Sequence, residues 1–386
     1  MQLNLFEREN GAFGVRNRIA VISTVGCANH VADLIAQGSP LADAYTHAYG
    51  CDQLGGDLTL SFRMLARMGQ HPNVGAAVVV GLGCEEIDAV ELADQIAKTG
   101  KPVLPLIIQQ EGGTTKTAEK GRAFCRKMEQ ALLAQKRVPA PFSALTIALE
   151  CGGSDYTSGI AANPAMGAAA SRFVREGARV VFGETTELMG AEDILDGLCQ
   201  TPDIAAFIRR KIAAVEQVAL DWKVDLRGSQ PSPGNIRGGL STIEEKSLGG
   251  VCKIGREPIV DGLDFGQEVV KPGVSFMDTP GNDLACTLGL CGGGAQIVLF
   301  STGRGTPMGF AAAPMIKITA NAALAQKMAE NIDVDLSGIL TGAYSVEQGG
   351  DQLFDRLCRV AQGEEVAAEK LGHREFALYR ISPILT

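Results

Sequence analysis

Six times in the first half of the sequence a short apolar, β-branched run breaks off into glycine, cysteine, hydroxyl and carboxylate residues. The runs are "RIAVIST" (18–24), "ADAYTH" (42–47), "GAAVVVGL" (75–82), "PVLPLII" (102–108), "ALTIALE" (144–150) and "ARVVFGE" (178–184). Stretches of helical period separate them, among them "HVADLIAQ", "EIDAVELADQIAKTG" and "KTAEKGRAFCRKMEQALLAQ". Near-continuous apolar strands that alternate with amphipathic helices bury both sheet faces only when the sheet is parallel and helix-covered. The chain is therefore predicted to be α/β, with a largely parallel Rossmann-like sheet in its first half and a second α/β domain at the C-terminus.

The expected boundary lies at "KVDLRGSQPSPGN" (223–235), which is polar, holds two prolines and lacks an apolar period. It reads as a linker between a domain of residues 1–222, ending in an amphipathic stretch over 202–222, and a domain of residues 236–386. Strands are expected there at 273–279, 295–302 and 314–320, followed by a charged helical segment over 350–370.

Hydrophobic residues make up 46% and charged residues 20% of the 386 residues, which describes a globular chain with ordinary cores. The net charge of −9 is spread without a basic face, which argues against a nucleic-acid partner. No apolar run approaches the roughly 20 residues that span a bilayer, so no membrane partner is expected. The charged N-terminus lacks a signal-peptide core, and ten cysteines without that signal point to a reducing cytoplasm. No C-x-x-C pair occurs, so structural zinc and thioredoxin-type chemistry lack their usual spacing.

The chemistry collects behind the strands, in "VGCANH", "AYGCDQLGGD", "GCEE", "QEGGTTKT", "ECGGSD" and "ETTELMGAE". Parallel sheets bind ligands outside the carboxyl ends of their strands, so six such loops on one sheet are expected to converge. Cys27, Cys51, Cys84 and Cys151 each follow a strand, whereas Cys125, Cys199 and Cys358 fall in helical patterns and read as core. Imidazole, thiol and carboxylate groups gathered at strand ends suggest a divalent metal, with Fe(II), Mn(II) or Zn(II) favoured over Mg or Ca. His30 and His47 are the candidate histidines, and Glu85, Glu111, Glu150, Asp155, Glu184 and Glu187 the candidate carboxylates. Arg16, Asn17, Lys116, Asn235, Arg237, Lys246 and Arg304 are candidates for holding an anion, Arg304 through paired hydrogen bonds to a carboxylate.

Two motifs are rejected. "DVDLSG" (333–338) begins like a calcium loop, but Tyr344 stands where the bidentate carboxylate belongs. "GLGCEE" (81–86) follows a strand like a dinucleotide fingerprint, but Glu86 replaces its third glycine and would repel a pyrophosphate.

The strings "NGAFGVRNRIAVISTVGCAN", "THAYGC", "VVVGLGCE", "IIQQEGGTTKT", "LECGGSDYTSGIAANPAMG", "VFGETTELMGAE", "PGNIRGGLSTIEEKSLG" and "MDTPGNDLACTLGLCGGGAQIVLFSTGRGTPMGF" occur in order over residues 8–340. Together they resemble the altronate/galactarate dehydratase family. That resemblance implies a metal-dependent hydro-lyase, usually iron-dependent, that converts a sugar acid into a 2-keto-3-deoxy acid. It also implies a separate SAF-domain (antifreeze-like) small subunit, since the chain begins at the large catalytic region. A relative with the same split arrangement, sulfolactate sulfo-lyase, expels sulfite instead of water; the thiols of "TVGC" and "GLGCE" favour the dehydratase side. The implied metal shell is His47, Cys151, Asp155 and Glu184, with Glu111 beside it. His30 or Lys116 is the implied base, and Arg16, Asn17, Asn235 and Arg304 hold the acid. Alternatives are an iron–sulfur Lewis acid, for which no tight cysteine spacing exists, and a non-enzymatic ligand-binding or scaffold subunit. A closed homo-oligomer is the general expectation.

Overall fold

The structure, a computed structural model, describes residues 1–380. The last residues of the expected second domain, 381–386, lie outside the described residues. The chain forms two compact units. The first comprises residues 2–140, a short return at 310–313 and the tail from 374; the second comprises Met1, 141–309 and 314–373.

The first unit opens with β1 (Gln2–Glu7) and β2 (Phe13–Gly14), which pair antiparallel. Its main sheet contains β3 (Arg18–Ser23), β4 (Ala42–Tyr45), β5 (Val74–Gly81) and β6 (Val103–Ile107). The strand order is β4-β3-β5-β6 and every pairing is parallel. Every residue of β5 is buried, which is why its sequence is continuously apolar rather than alternating. Val21, Val78, Val80 and Leu106 pack against Val31, Ile35, Cys125 and Met128 from the covering helices. β7 (Val138–Pro141) adds to β1 at the boundary between the units.

The second unit carries β8 (Thr146–Cys151), β9 (Arg179–Phe182), β10 (Ile259–Leu263), β11 (Gly273–Met277), β12 (Ile297–Ser301), β13 (Met315–Thr319) and β14 (Val334–Asp335). They form one parallel sheet in the order β10-β11-β9-β8-β12-β13-β14. The chain leaves β8 for β9 on one side and returns to β12 on the other, so the strand order reverses beside β8. Helix Asn163–Arg175 and helix Val346–Ala361 cover one side, where Phe142, Phe173 and Phe354 stack with centroids 5.3 to 6.1 Å apart.

The α/β class and the parallel sheets are as the sequence pattern indicates. Two expectations are corrected. The six strands of the first half do not share a sheet: β3 to β6 belong to the first unit, β8 and β9 to the second. The units also divide at Ala140/Pro141 rather than at 223–235. The polar stretch lies within the second unit and forms short helices at Leu226–Ser229 and Pro233–Arg237. Chain on both sides of it buries against the same sheet: Phe207, from helix Pro202–Asp221, packs against Phe276 of β11. Low hydropathy over 13 residues marked an excursion to the surface, not a break in the core. Among the described residues no helix is long and apolar enough to cross a membrane.

Candidate active site

β8 and β9 are adjacent in the second unit, and their carboxyl ends place Glu150, Cys151 and Glu184 side by side. The turn after β9 holds Glu184 at φ 67°, a left-handed conformation rarely adopted by a residue with a side chain. The Thr279 side chain accepts the Glu184 N–H at 2.7 Å and fixes that turn. The carboxylate of Glu184 then reaches the Cys151 N–H at 3.3 Å, with the thiol 3.7 Å away. One turn on, Glu187 brings a second carboxylate to 3.8 Å from the same sulfur. Among the described residues, Cys151, Glu184 and Glu187 form the set whose potential ligand atoms all lie within 4.8 Å of one another.

Two lysines answer this negative charge. Helix Ile243–Val251, capped by the Thr242 side chain, presents Lys246, and the turn that follows it presents Lys253. Between them the two ammonium groups reach both carboxylates. Lys246 Nζ donates to Glu187 at 2.6 Å. Lys253, 1% exposed, donates to Glu184 and, at 3.1 Å, to Cys151. Burial pushes the Glu184 carboxyl up to about 7 against the pull of Lys253. Burial would lower Lys253, but the facing Cys151 sulfur and the Glu184 and Glu187 carboxyls outweigh it and raise the ammonium well above its ordinary value. Burial, then the charge of Glu184, raises the Cys151 thiol far out of the physiological range.

Behind them Glu150 is fully buried, and burial and the neighbouring Glu184 raise it well above the carboxylate range. It accepts from the Thr287 hydroxyl at 2.5 Å, while its other oxygen has no hydrogen-bond partner. A cavity of about 390 Å³ opens in front of the lysine–glutamate pairs, with Gly152, Glu187, Asn235, Lys246 and Asp283 in its lining. Asp283 begins helix Asp283–Gly292, and burial and Glu187 raise its pKa. A Cβ on Gly152 would lie 2.6 Å from the Asp283 carboxylate, so the strand-end glycine gives that acid its room.

The structure sorts the sequence-predicted residues. Cys151 and Glu184 come together as expected. Asn235 lines the same cavity, donating to Ser154 O at 3.1 Å. Arg304 is exposed, and its stem lies against Gly153. Asp155 faces a different set of groups. Its oxygens accept from Thr157 at 2.6 Å, from the Ser158 N–H at 3.1 Å and from Asn321 at 2.9 Å, which makes it a clasp for its loop.

The remaining candidates belong to the first unit. His47 is buried, its Nε2 2.8 Å from Ser23 O and its Nδ1 accepting the Tyr49 N–H at 3.2 Å. Both ring nitrogens are thus engaged as a strut between strand ends, and burial lowers the pKa of the ring. Asn17 holds Arg8, Gln135 and Leu132 O, Glu111 pairs with Lys120 at 2.7 Å, and His30 and Lys116 are exposed. Arg16 donates to Val15 O at 3.0 Å. Lys253 and Asp283 were missed in the sequence. The only local sign of Lys253 is its seven-residue spacing from Lys246.

The family model described as "D-galactarate/Altronate dehydratase, C-terminal" matches residues 142–384. That described as "D-galactarate dehydratase/Altronate hydrolase, second domain" matches residues 6–132. The (2R)-sulfolactate sulfo-lyase subunit beta of Chromohalobacter salexigens is 38% identical over 97% of this chain and 96% of its own length. Altronate dehydratase of Escherichia coli is 34% identical over 98% of this chain and 78% of its own length. Galactarate dehydratase (L-threo-forming) of the same organism is 31% identical over 83% and 63%.

Proposed function

The chain belongs to the D-galactarate/altronate dehydratase family, and from that premise we propose that it eliminates water from a sugar acid to give a 2-keto-3-deoxy acid. The observation that carries this reading is the pair of lysine–glutamate contacts, Lys246–Glu187 and Lys253–Glu184, beside a small-molecule cavity that also holds Asp283.

Elimination begins at a carbon acid beside a carboxylate, so negative charge must be stabilised as the C2 proton leaves. Lys246, at the cavity wall, anchors the acid's carboxylate. Glu187 takes the C2 proton, and the electron pair left on C2 forms the C2–C3 double bond. The C3–O bond breaks as Asp283, whose pKa burial and Glu187 raise, acts as the acid and protonates the departing hydroxyl. The enol then gains a proton at C3 and gives up its C2 hydroxyl proton to solvent, becoming the ketone. Glu184 and Lys253 are positioning residues: they set the field and hold the β9 turn.

The family resemblance implies a divalent ion, and Cys151, Glu184 and Glu187 offer suitable donor types. Their charges do not fit one. Two carboxylates already face two ammonium groups, and a dication would expel Lys253 from its hydrogen-bond partners into an apolar interior. No step above passes through a metal at this set.

The test is keto-acid formation from a panel of aldonic and aldaric acids, with the chain alone and with a SAF-domain small subunit. Lys246→Ala is expected to raise KM, and Asp283→Asn to lower kcat by about 10²–10⁴-fold. Unchanged kinetics in both variants would remove this site from the reaction. A second reading, with sulfite as leaving group, is supported by the near full-length match to a sulfo-lyase subunit beta. Its assay is sulfite release from sulfolactate.

A further inference from the structure

In the first unit, the loops after β3, β4 and β5 carry Cys27, Cys51 and Cys84. These strands are neighbours in one parallel sheet, with β3 central, and the order reverses between β3 and β5. The three loops therefore rise from one rim at the place where such sheets bind ligands.

They are also laced together. The Gly26 N–H donates to Tyr49 O at 2.8 Å, tying the Cys27 loop to the Cys51 loop. Gly50, at φ 103°, lies so close to the end of β3 that a Cβ there would fall 2.1 Å from Thr24 O. The Asp52 N–H donates to Glu86 at 3.1 Å, tying the Cys51 loop to the Cys84 loop. Thr24 closes the circuit by donating to Glu85 at 2.6 Å, and Glu85 accepts the N–H groups of Leu82, Gly83 and Cys84.

All three thiols are free and exposed, against the strong tendency of cysteine to be buried. A single ion with bonds of about 2.3 Å needs its sulfurs closer together than a multi-iron cluster does. This trio is not among the ligand sets gathered within 4.8 Å. Sequence spacing of 24 and 33 residues hides the site, because adjacent strands rather than a short loop bring the thiols together.

We propose that Cys27, Cys51 and Cys84 are the thiolate ligands of an iron–sulfur cluster of the four-iron type, one of whose irons has no cysteine ligand. Each thiol gives up its proton on binding. Glu85 is committed to backbone N–H groups and takes no part, and among the described residues no fourth cysteine lies on these strand-end loops. Cluster binding is a property of the first unit's own residues and does not depend on which acid is dehydrated.

The whole chain is reconstituted anaerobically with equal amounts of ferrous and ferric iron, which supply the mixed oxidation state of a four-iron core, and with sulfide; it is then desalted and assayed for iron, acid-labile sulfide and visible charge-transfer absorption. About four irons and four sulfides per chain are expected. Cys27→Ser, Cys51→Ser and Cys84→Ser should each lose more than half of both, with unchanged circular dichroism. Cys252→Ser, an exposed cysteine of the second unit, should lose neither. Iron bound without sulfide, or equal loading in the triple serine variant, overturns the proposal. A loaded protein that forms no keto acid would instead count against the dehydratase reading alone.

Discussion

Replacing Lys253 by methionine isolates the charge logic of the buried site. Glu184 is fully buried, and its carboxyl stands at about 7 where 4.5 is ordinary. Because the folded state holds its proton more tightly, this group favours folding at low pH, and that advantage fades as pH rises from 4.5 to 7. The fade is about 1.4 kcal/mol per unit, about 3.5 kcal/mol in all. Above pH 7 Glu184 ionises in the folded wild type too, against Lys253, and its contribution levels off. Lys253 itself is raised well above 10.5, so its stabilisation is lost only at more alkaline pH.

In Lys253→Met, burial and the charge of Glu187 act on Glu184 unopposed, and the folded carboxyl stays protonated past pH 7. The variant should then keep losing about 1.4 kcal/mol per pH unit where the wild type is flat. At about 2–4 °C per kcal/mol for a unit of this size, its Tm should fall a further 3–6 °C or so for each unit between pH 7 and 9. Calorimetric scans of both proteins across that range measure the difference. The double variant Lys253→Met/Glu184→Gln should remove the slope and recover part of the stability. Parallel Tm profiles for Lys253→Met and wild type over pH 7 to 9 would refute the assignment of Lys253 as the counter-charge of Glu184.

Other outcomes follow from the same geometry. Thr287→Val takes away the hydroxyl that donates to the buried Glu150 and should cost about 1–3 kcal/mol in denaturant unfolding. Gly167→Ala places a Cβ 2.2 Å from Cys252 O, next to the turn that carries Lys253; it should cost about 1–3 kcal/mol and lower kcat as well. Gly152→Ala should lower kcat and also lower Tm, because its Cβ would fall 2.6 Å from both the Asp283 carboxylate and the ring of the fully buried Phe300. A normal kcat in that variant would argue against Asp283 as the acid.

Much of the second unit's site was legible at the strand ends. Cys151 and Glu184 follow runs whose unbroken apolar character marks buried parallel strands, and such strands deliver their loops to one rim. Helix boundaries were legible for the same local reason: the 202–222 stretch became helix Pro202–Asp221 because its period and its Pro at the first turn are short-range signals. Asp155 and His47 misled because the same side chains that ligate metals also clasp loops, and only their partners tell the two apart.

Local alternation of apolar runs and amphipathic stretches determined that this chain is α/β, where its strands lie and which loops carry thiols and carboxylates. Tertiary structure decided which strands share a sheet, and with that which loops meet. Lys253 reaches Glu184 across 69 residues, and the thiols of Cys27, Cys51 and Cys84 share a rim through strand order. The physical reason is range. Periodicity records how each segment buries its own face, whereas contact between distant segments depends on where each crossover sets the next strand down.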